Sequence, residues 1–162
     1  MKHNQLVQTF QEWGPEFHVE FDIVVYKLPT DVNWLNVIRI GNGGNNEKYG
    51  DRIATFFLGR ENGKFWVSNV LNGQGDHFDN VVSTLNKKSH VVIKQYQKGP
   101  AGAQNIWTYT KIDDKVLRDQ KNDQPGTFQN VMVFAGDPWY PAFTSEFGKV
   151  ENMIVYQGMY FH

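Results

Sequence analysis

The chain has 162 residues, a formal net charge of -1 from 16 basic and 17 acidic side chains, and no cysteine. That balance supplies no field for gathering nucleic acid or an anionic membrane surface, and the missing thiols exclude disulfides, thiolate nucleophiles and Cys-containing zinc sites. No apolar run reaches membrane-spanning length and the first segment, MKHNQLVQTFQEWG, has no apolar stretch of signal-peptide length, so the expectation is one soluble domain over residues 1–162 with no membrane insertion.

Aromatic residues make up 15% of the chain alongside 15 glycines, a composition that suits twisted strands joined by glycine turns. Leu6 to Phe10 is a candidate first strand, and Trp13-Gly14-Pro15 is a turn, since no helix interior accepts that proline. From Phe17 to Val25 the apolar residues fall on every second position, which puts Phe17, Val19, Phe21, Ile23 and Val25 on a core face and His18, Glu20 and Asp22 on the other. Trp34 to Ile40 is predicted as a strand with Trp34, Asn36, Ile38 and Ile40 on one side. Residues 41–50, GNGGNNEKYG, form a rim loop. Ile53–Leu58 and Phe65–Leu71 flank Arg60-Glu61-Asn62-Gly63, a hairpin signal, and residues 72–77 look like a second polar glycine loop. His90–Tyr96 and Ile106–Ile112 are two longer strands on either side of Lys98-Gly99-Pro100-Ala101-Gly102. Asp113-Asp114 turns the chain into Val116-Leu117, and Gln124-Pro125-Gly126 breaks it. The last two strands carry Val131, Val133 and Ala135, then Val150, Asn152, Ile154 and Tyr156. Ten or so short strands, with no amphipathic helix and no internal repeat, predict an all-β, two-sheet antiparallel sandwich or barrel.

The order of these features resembles the concanavalin A-like jelly roll, and within it the laminin G-like and galectin-like branches. The resemblance rests on residues 16–22, EFHVEFD, as an opening strand, and on residues 50–58 and 63–67 as a central hairpin. It continues through residues 88–94, KSHVVIK, the acidic turn in residues 109–114, and residues 148–155 as the closing strand. The chain departs from the branches in two places. It lacks the cysteines of a laminin G-like C-terminal disulfide, and it contains no His-x-Asn-x-Arg strand, so the galectin sugar site does not carry over.

The resemblance implies carbohydrate binding or, in the laminin G-like branch, a protein-interaction or adhesion module, and it favours an extracellular protein. Partners would then be a glycan or glycoprotein, and a homodimer through edge strands is open. Sugar recognition needs an aromatic face beside polar side chains. Trp139 and Tyr140 beside Asp137 supply both, Trp107 and Tyr109 on one strand face are a second platform, and Arg52 and His77 are loop residues able to meet the first. Relatives often hold calcium through rim carboxylates, which makes Asp51 and Asp76 candidate ligands, although no EF-hand spacing is present. Related glucanases carry Glu-x-Asp-x-x-Glu on one strand. Here Glu20-Phe21-Asp22 lacks the third acid, so the expectation is a non-catalytic protein, with a glycoside hydrolase as the remaining alternative.

Overall fold

In the computed structural model, which describes residues 1–45, 48–99 and 105–158, the alternating segments are strands. They are β1 (Leu6–Trp13), β2 (Phe17–Val25), β3 (Trp34–Gly41), β4 (Ala54–Gly59), β5 (Lys64–Leu71), β6 (Gln74–Val82), β7 (Lys88–Gln97), β8 (Ile106–Ile112), β9 (Lys115–Lys121), β10 (Phe128–Phe134) and β11 (Gly148–Gln157). Six of them make one sheet in the order β1-β10-β3-β4-β5-β6, and five make the other in the order β11-β2-β7-β8-β9. Every strand pairing is antiparallel.

The alternation in β2 fixes which side faces inward. Val19, Phe21 and Ile23 have no exposed surface and meet Ala54, Phe56, Leu58 and Val67 of the six-stranded sheet in one core. Phe21 and Phe56 touch edge to face across the two sheets, 5.1 Å between ring centroids, and each ring buried this way contributes about 1.5–3 kcal/mol. Polar links also cross the interior: the Asn69 amide donates to Thr110 Oγ1 at 3.1 Å, and the Gln95 amide donates to the Val70 carbonyl at 3.0 Å. At one flank, Arg118 of β9 donates twice to the Asp79 carboxylate of β6, at 2.8 and 2.7 Å, and joins the two sheet edges.

The structure corrects three strand-level expectations. Residues 72–77 are not a loop: Asn72 and Gly73 both have positive φ, 51° and 76°, and Leu71 pairs with Gln74, so Asn72-Gly73 is a two-residue hairpin turn and β6 starts at once. Because β6 is an edge strand of mostly polar residues, it carries no apolar alternation to announce it. In β3 a bulge between Asn36 and Ile38 shifts the phase. Ile38 and Ile40 therefore join Leu35 and Val37 in the core, while Trp34 is turned the other way from its expected companions. In β11 a second bulge, with Asn152 at φ 55°, turns Val150, Met153 and Val155 toward the core and leaves Ile154 half exposed. The turn expected at 98–102 lies beyond Gly99 outside the described residues, as do residues 46 and 47 of the rim loop.

Candidate functional site

The outer face of the six-stranded sheet is built from the residues that alternate with the core positions of β3, β4, β5 and β6. Phe57 pairs with Trp66, Trp34 with Gly59, and Ser68 with both Thr55 and Phe78, so these side chains stand together on the side away from the core. Trp34 and Trp66 meet edge to face with 5.2 Å between centroids, Trp34 meets Phe57 at 6.2 Å, and Trp66 meets Phe78 at 6.0 Å. Between the two indoles lies Gly59, where an added Cβ would stand 3.0 Å from Trp34 Cζ3 and 3.1 Å from Trp66 Nε1. The missing side chain lets both indoles close over Gly59, and beside them an open groove of about 490 Å³ is lined by Trp34 and Trp66 and rimmed by Arg60, Glu61 and Lys64. Neither indole is fully covered, and the Lys64 ammonium sits 5.8 Å from the Trp66 ring centre. The Arg60 guanidinium is held at the rim by donating to the Thr30 carbonyl at 3.3 Å.

The loop after β10 lies over the same face, and its anchor is a buried ion pair. Arg39 and Asp137, 1% and 0% exposed, meet at 3.2 Å. Arg39 also donates to Asn45 Oδ1 at 2.9 Å and to the carbonyls of Gly44 and Asp51 at 2.7 and 3.1 Å. Burial pushes this guanidinium below its ordinary pKa while Asp137 pulls in the opposite direction. The other carboxylate oxygen, Asp137 Oδ1, accepts the backbone N–H groups of Trp139 and Tyr140 at 3.1 and 2.8 Å, so the side chain folds its own loop as an aspartate turn does. Trp139 lies over the Arg39 guanidinium, 4.4 Å from its carbon, and remains 38% exposed. Tyr140 packs edge-on against Phe57 at 5.1 Å, and its hydroxyl accepts from Arg52 at 3.5 Å. Arg52 in turn lies 5.7 Å from the Phe78 ring centre.

Asp137, Trp139, Tyr140 and Arg52 are therefore gathered on one face, with Asp137 serving the loop's own backbone from a fully buried position. His77 is elsewhere: it pairs with Asn69, whose amide points into the core, so it belongs to the opposite side of β6. Trp107 and Tyr109 stand on the outer face of the five-stranded sheet, alternating with buried Ile106, Thr108, Thr110 and Ile112. Each carries a lysine ammonium on its ring, Lys98 at 3.8 Å over Trp107 and Lys94 at 4.9 Å over Tyr109. Of the expected calcium ligands, Asp51 is buried with one carboxylate oxygen accepting the Lys48 N–H at 3.3 Å, and the Asp76 side chain lies outside the described residues. Calcium takes six to eight oxygen donors, and no group of three or more His, Asp or Glu able to hold a metal occurs among the described residues.

Trp34, Gly59, Arg60, Glu61, Lys64 and Trp66 were not singled out by the sequence. Strict alternation placed Trp34 on the face of Ile38 and Ile40, which the bulge separates from it. Trp66 was legible, because it alternates with Phe65 and Val67, two core residues.

No family model matches the chain, and no curated protein matches its sequence. Solved structures do match by shape. A heptameric SAP-like pentraxin from Limulus polyphemus superimposes with a TM-score of 0.57 at 11% identity, over 93% of this chain and 67% of the pentraxin. An alginate lyase from Pseudomonas aeruginosa gives 0.59 at 15% identity, over 91% of this chain and 68% of the lyase. A second alginate lyase, solved in complex with an alginate tetrasaccharide, gives 0.50 at 11% identity, over 97% of this chain and 74% of that one. The fold is a concanavalin A-like jelly roll. At these identities the fold is what is shared. The jelly roll accounts for the two outer faces, and the side chains on them are this chain's own.

Proposed function

We propose that this jelly roll is a non-catalytic carbohydrate-binding domain and that its glycan enters the Trp34–Trp66 groove. The observation that carries the reading is the pair of half-covered indoles packed together over a glycine and facing an open groove. Indole faces stack on sugar C–H surfaces, and Arg60, Glu61 and Lys64 stand at the rim to hydrogen-bond hydroxyls, the combination of apolar wall and few polar groups that small-ligand sites use. The alginate lyase that holds a tetrasaccharide on the same fold supports a glycan in this role. Trp139 and Tyr140 lie on the same face and extend the surface a longer chain would cross.

The non-catalytic part rests on the acids. Retaining hydrolysis needs two carboxyl groups about 5–5.5 Å apart, and Glu61 is the one acid among the residues lining the groove. Glu20 and Asp22 belong to the other sheet, where each is engaged by a histidine: Glu20 meets His18 at 2.7 Å and Asp22 meets His90 at 2.9 Å. Calcium has no role in this reading.

Binding of a glycan panel by wild type, Trp34→Ala, Trp66→Ala and Trp139→Ala tests it. Each groove variant is expected to weaken saccharide binding at least about tenfold, the loss typical of a central aromatic anchor, with a smaller effect at Trp139. Binding to no glycan, or binding untouched by both groove variants, refutes the assignment. New reducing ends on polysaccharide that disappear in Glu20→Gln or Glu61→Gln would make the protein an enzyme. A thermal midpoint that rises with Ca²⁺ and falls with chelator would restore Asp51 and Asp76 as ligands.

A further inference from the structure

The outer face of the five-stranded sheet carries a second surface whose chemistry differs from that of the groove. Register places Tyr156, His18, Lys94, Tyr109 and Asp119 in one row across all five strands, and Tyr96, Trp107 and Lys121 in the next. Lysine ammonium groups stand among the aromatic rings of these rows. Lys94 Nζ stands between two tyrosines, 4.8 Å from the Tyr96 ring centre and 4.9 Å from that of Tyr109, and Lys98 Nζ lies 3.8 Å over Trp107. The indole is held in place by donating to Asn105 Oδ1 at 3.2 Å. Lys98 and Lys121 have acidic partners, Asp119 at 3.7 Å and Asp123 at 2.8 Å. Among the described residues Lys94 has no carboxylate partner, and neither does Lys111, which stands on the same face opposite Val92.

We propose that this face binds an acidic polysaccharide along the rows of β7, β8 and β9. An ammonium resting on an aromatic ring keeps its outward side for an anion, because the ring's quadrupole stabilises the cation without neutralising it. A chain that carries carboxylate or sulfate groups beside apolar sugar faces matches a surface whose ammonium groups lie against the faces of aromatic rings. A continuous phosphate backbone matches it poorly, since Asp119 and Glu20 interrupt the lysines and the chain's net charge of -1 offers no long-range attraction.

The test is titration with a sulfated oligosaccharide, an oligouronate, a neutral oligoglucan and a single-stranded oligonucleotide of comparable length, at low and moderate salt. The expected result is salt-sensitive binding of one or both acidic oligosaccharides that persists in Trp34→Ala, with no binding of the neutral one by that variant, the binding arm naming sulfate or carboxylate as the anion. Lys94→Gln with Lys111→Gln is expected to weaken that binding by about tenfold or more, equivalent to about 1.4 kcal/mol. Its thermal midpoint should stay unchanged, and Trp34→Ala should leave the affinity alone. Equal binding of the neutral chain by Trp34→Ala, tighter binding of the oligonucleotide, binding of neither acidic chain, full affinity in the double lysine variant or loss of the acidic chains in Trp34→Ala would each overturn the proposal.

Discussion

Asp137 shows how one side chain can look like a ligand-binding group and act as a structural one. Its position beside Trp139 and Tyr140 suggested a hydroxyl acceptor, yet both oxygens are consumed, one by Arg39 and the other by two N–H groups of its own loop. The pair is dry. Removing one partner of a buried ion pair leaves the other charge uncompensated, which costs about 3–5 kcal/mol, and here the freed guanidinium also loses its hold on the loop that carries Trp139. Asp137→Ala is therefore expected to lower the free energy of unfolding by that amount in denaturant titration. A change below about 1 kcal/mol would mean that Arg39 finds another partner. The groove depends on side chains of another kind, because Trp34 and Trp66 are half covered and support nothing across the sheet interface.

At the scale of the strands, the outer face of the five-stranded sheet is tied together around Asp22. One carboxylate oxygen meets His90 of β7 at 2.9 Å and the other accepts from Asn152 of β11 at 2.8 Å, with Lys88 at 3.6 Å. These contacts, the His90 bond first, hold the Asp22 carboxyl below the usual aspartate range. A depressed folded-state pKa means the unfolded chain takes up the proton first. The stability this contributes is therefore complete above the unfolded value, about 3.9, and is lost as pH falls through the lower folded value. Asp22→Asn is expected to melt earlier than wild type at neutral pH, with the gap closing below about pH 4; a gap independent of pH would assign the loss to shape instead of charge. Much of this sheet was legible in sequence, since the alternation of β2, β7 and β8 states which side is core. What escaped was phase. One extra residue at a bulge reverses every side chain beyond it, so Trp34 and Ile154 were assigned to the wrong companions, and β6, with little apolar content, had no phase to read. The site suffered more than the fold for that reason, because binding residues are the ones facing away from the pattern that identifies strands.

For the whole molecule, the two flanks of the sandwich are closed by different means. On one, the Arg118–Asp79 pair spans β9 and β6 with both side chains nearly covered, at 10% and 13% exposure. On the other, where β1 and β10 approach β11, Val7, Val133, Phe134, Met153 and Val155 line an apolar groove of about 330 Å³. Among the described residues no ion pair joins β1 to β11. The sandwich is bound like a book, with a stitched spine and a fore-edge held shut mainly by grease, apart from the Gly14 N–H that donates to Gln157 Oε1 at 2.9 Å where β1 ends. Opening should begin at the fore-edge, so amide hydrogens of β1 and β11 are expected to exchange faster than those of β6 and β9, and Arg118→Leu should bring β6 and β9 up to the same rate. Uniform protection across both flanks would show that the stitch carries no load. A chain that opens on one side only can loosen the edge strands β1 and β11 while the groove on β3, β4 and β5 and the rows on β7, β8 and β9, which lie away from that edge, keep their shape.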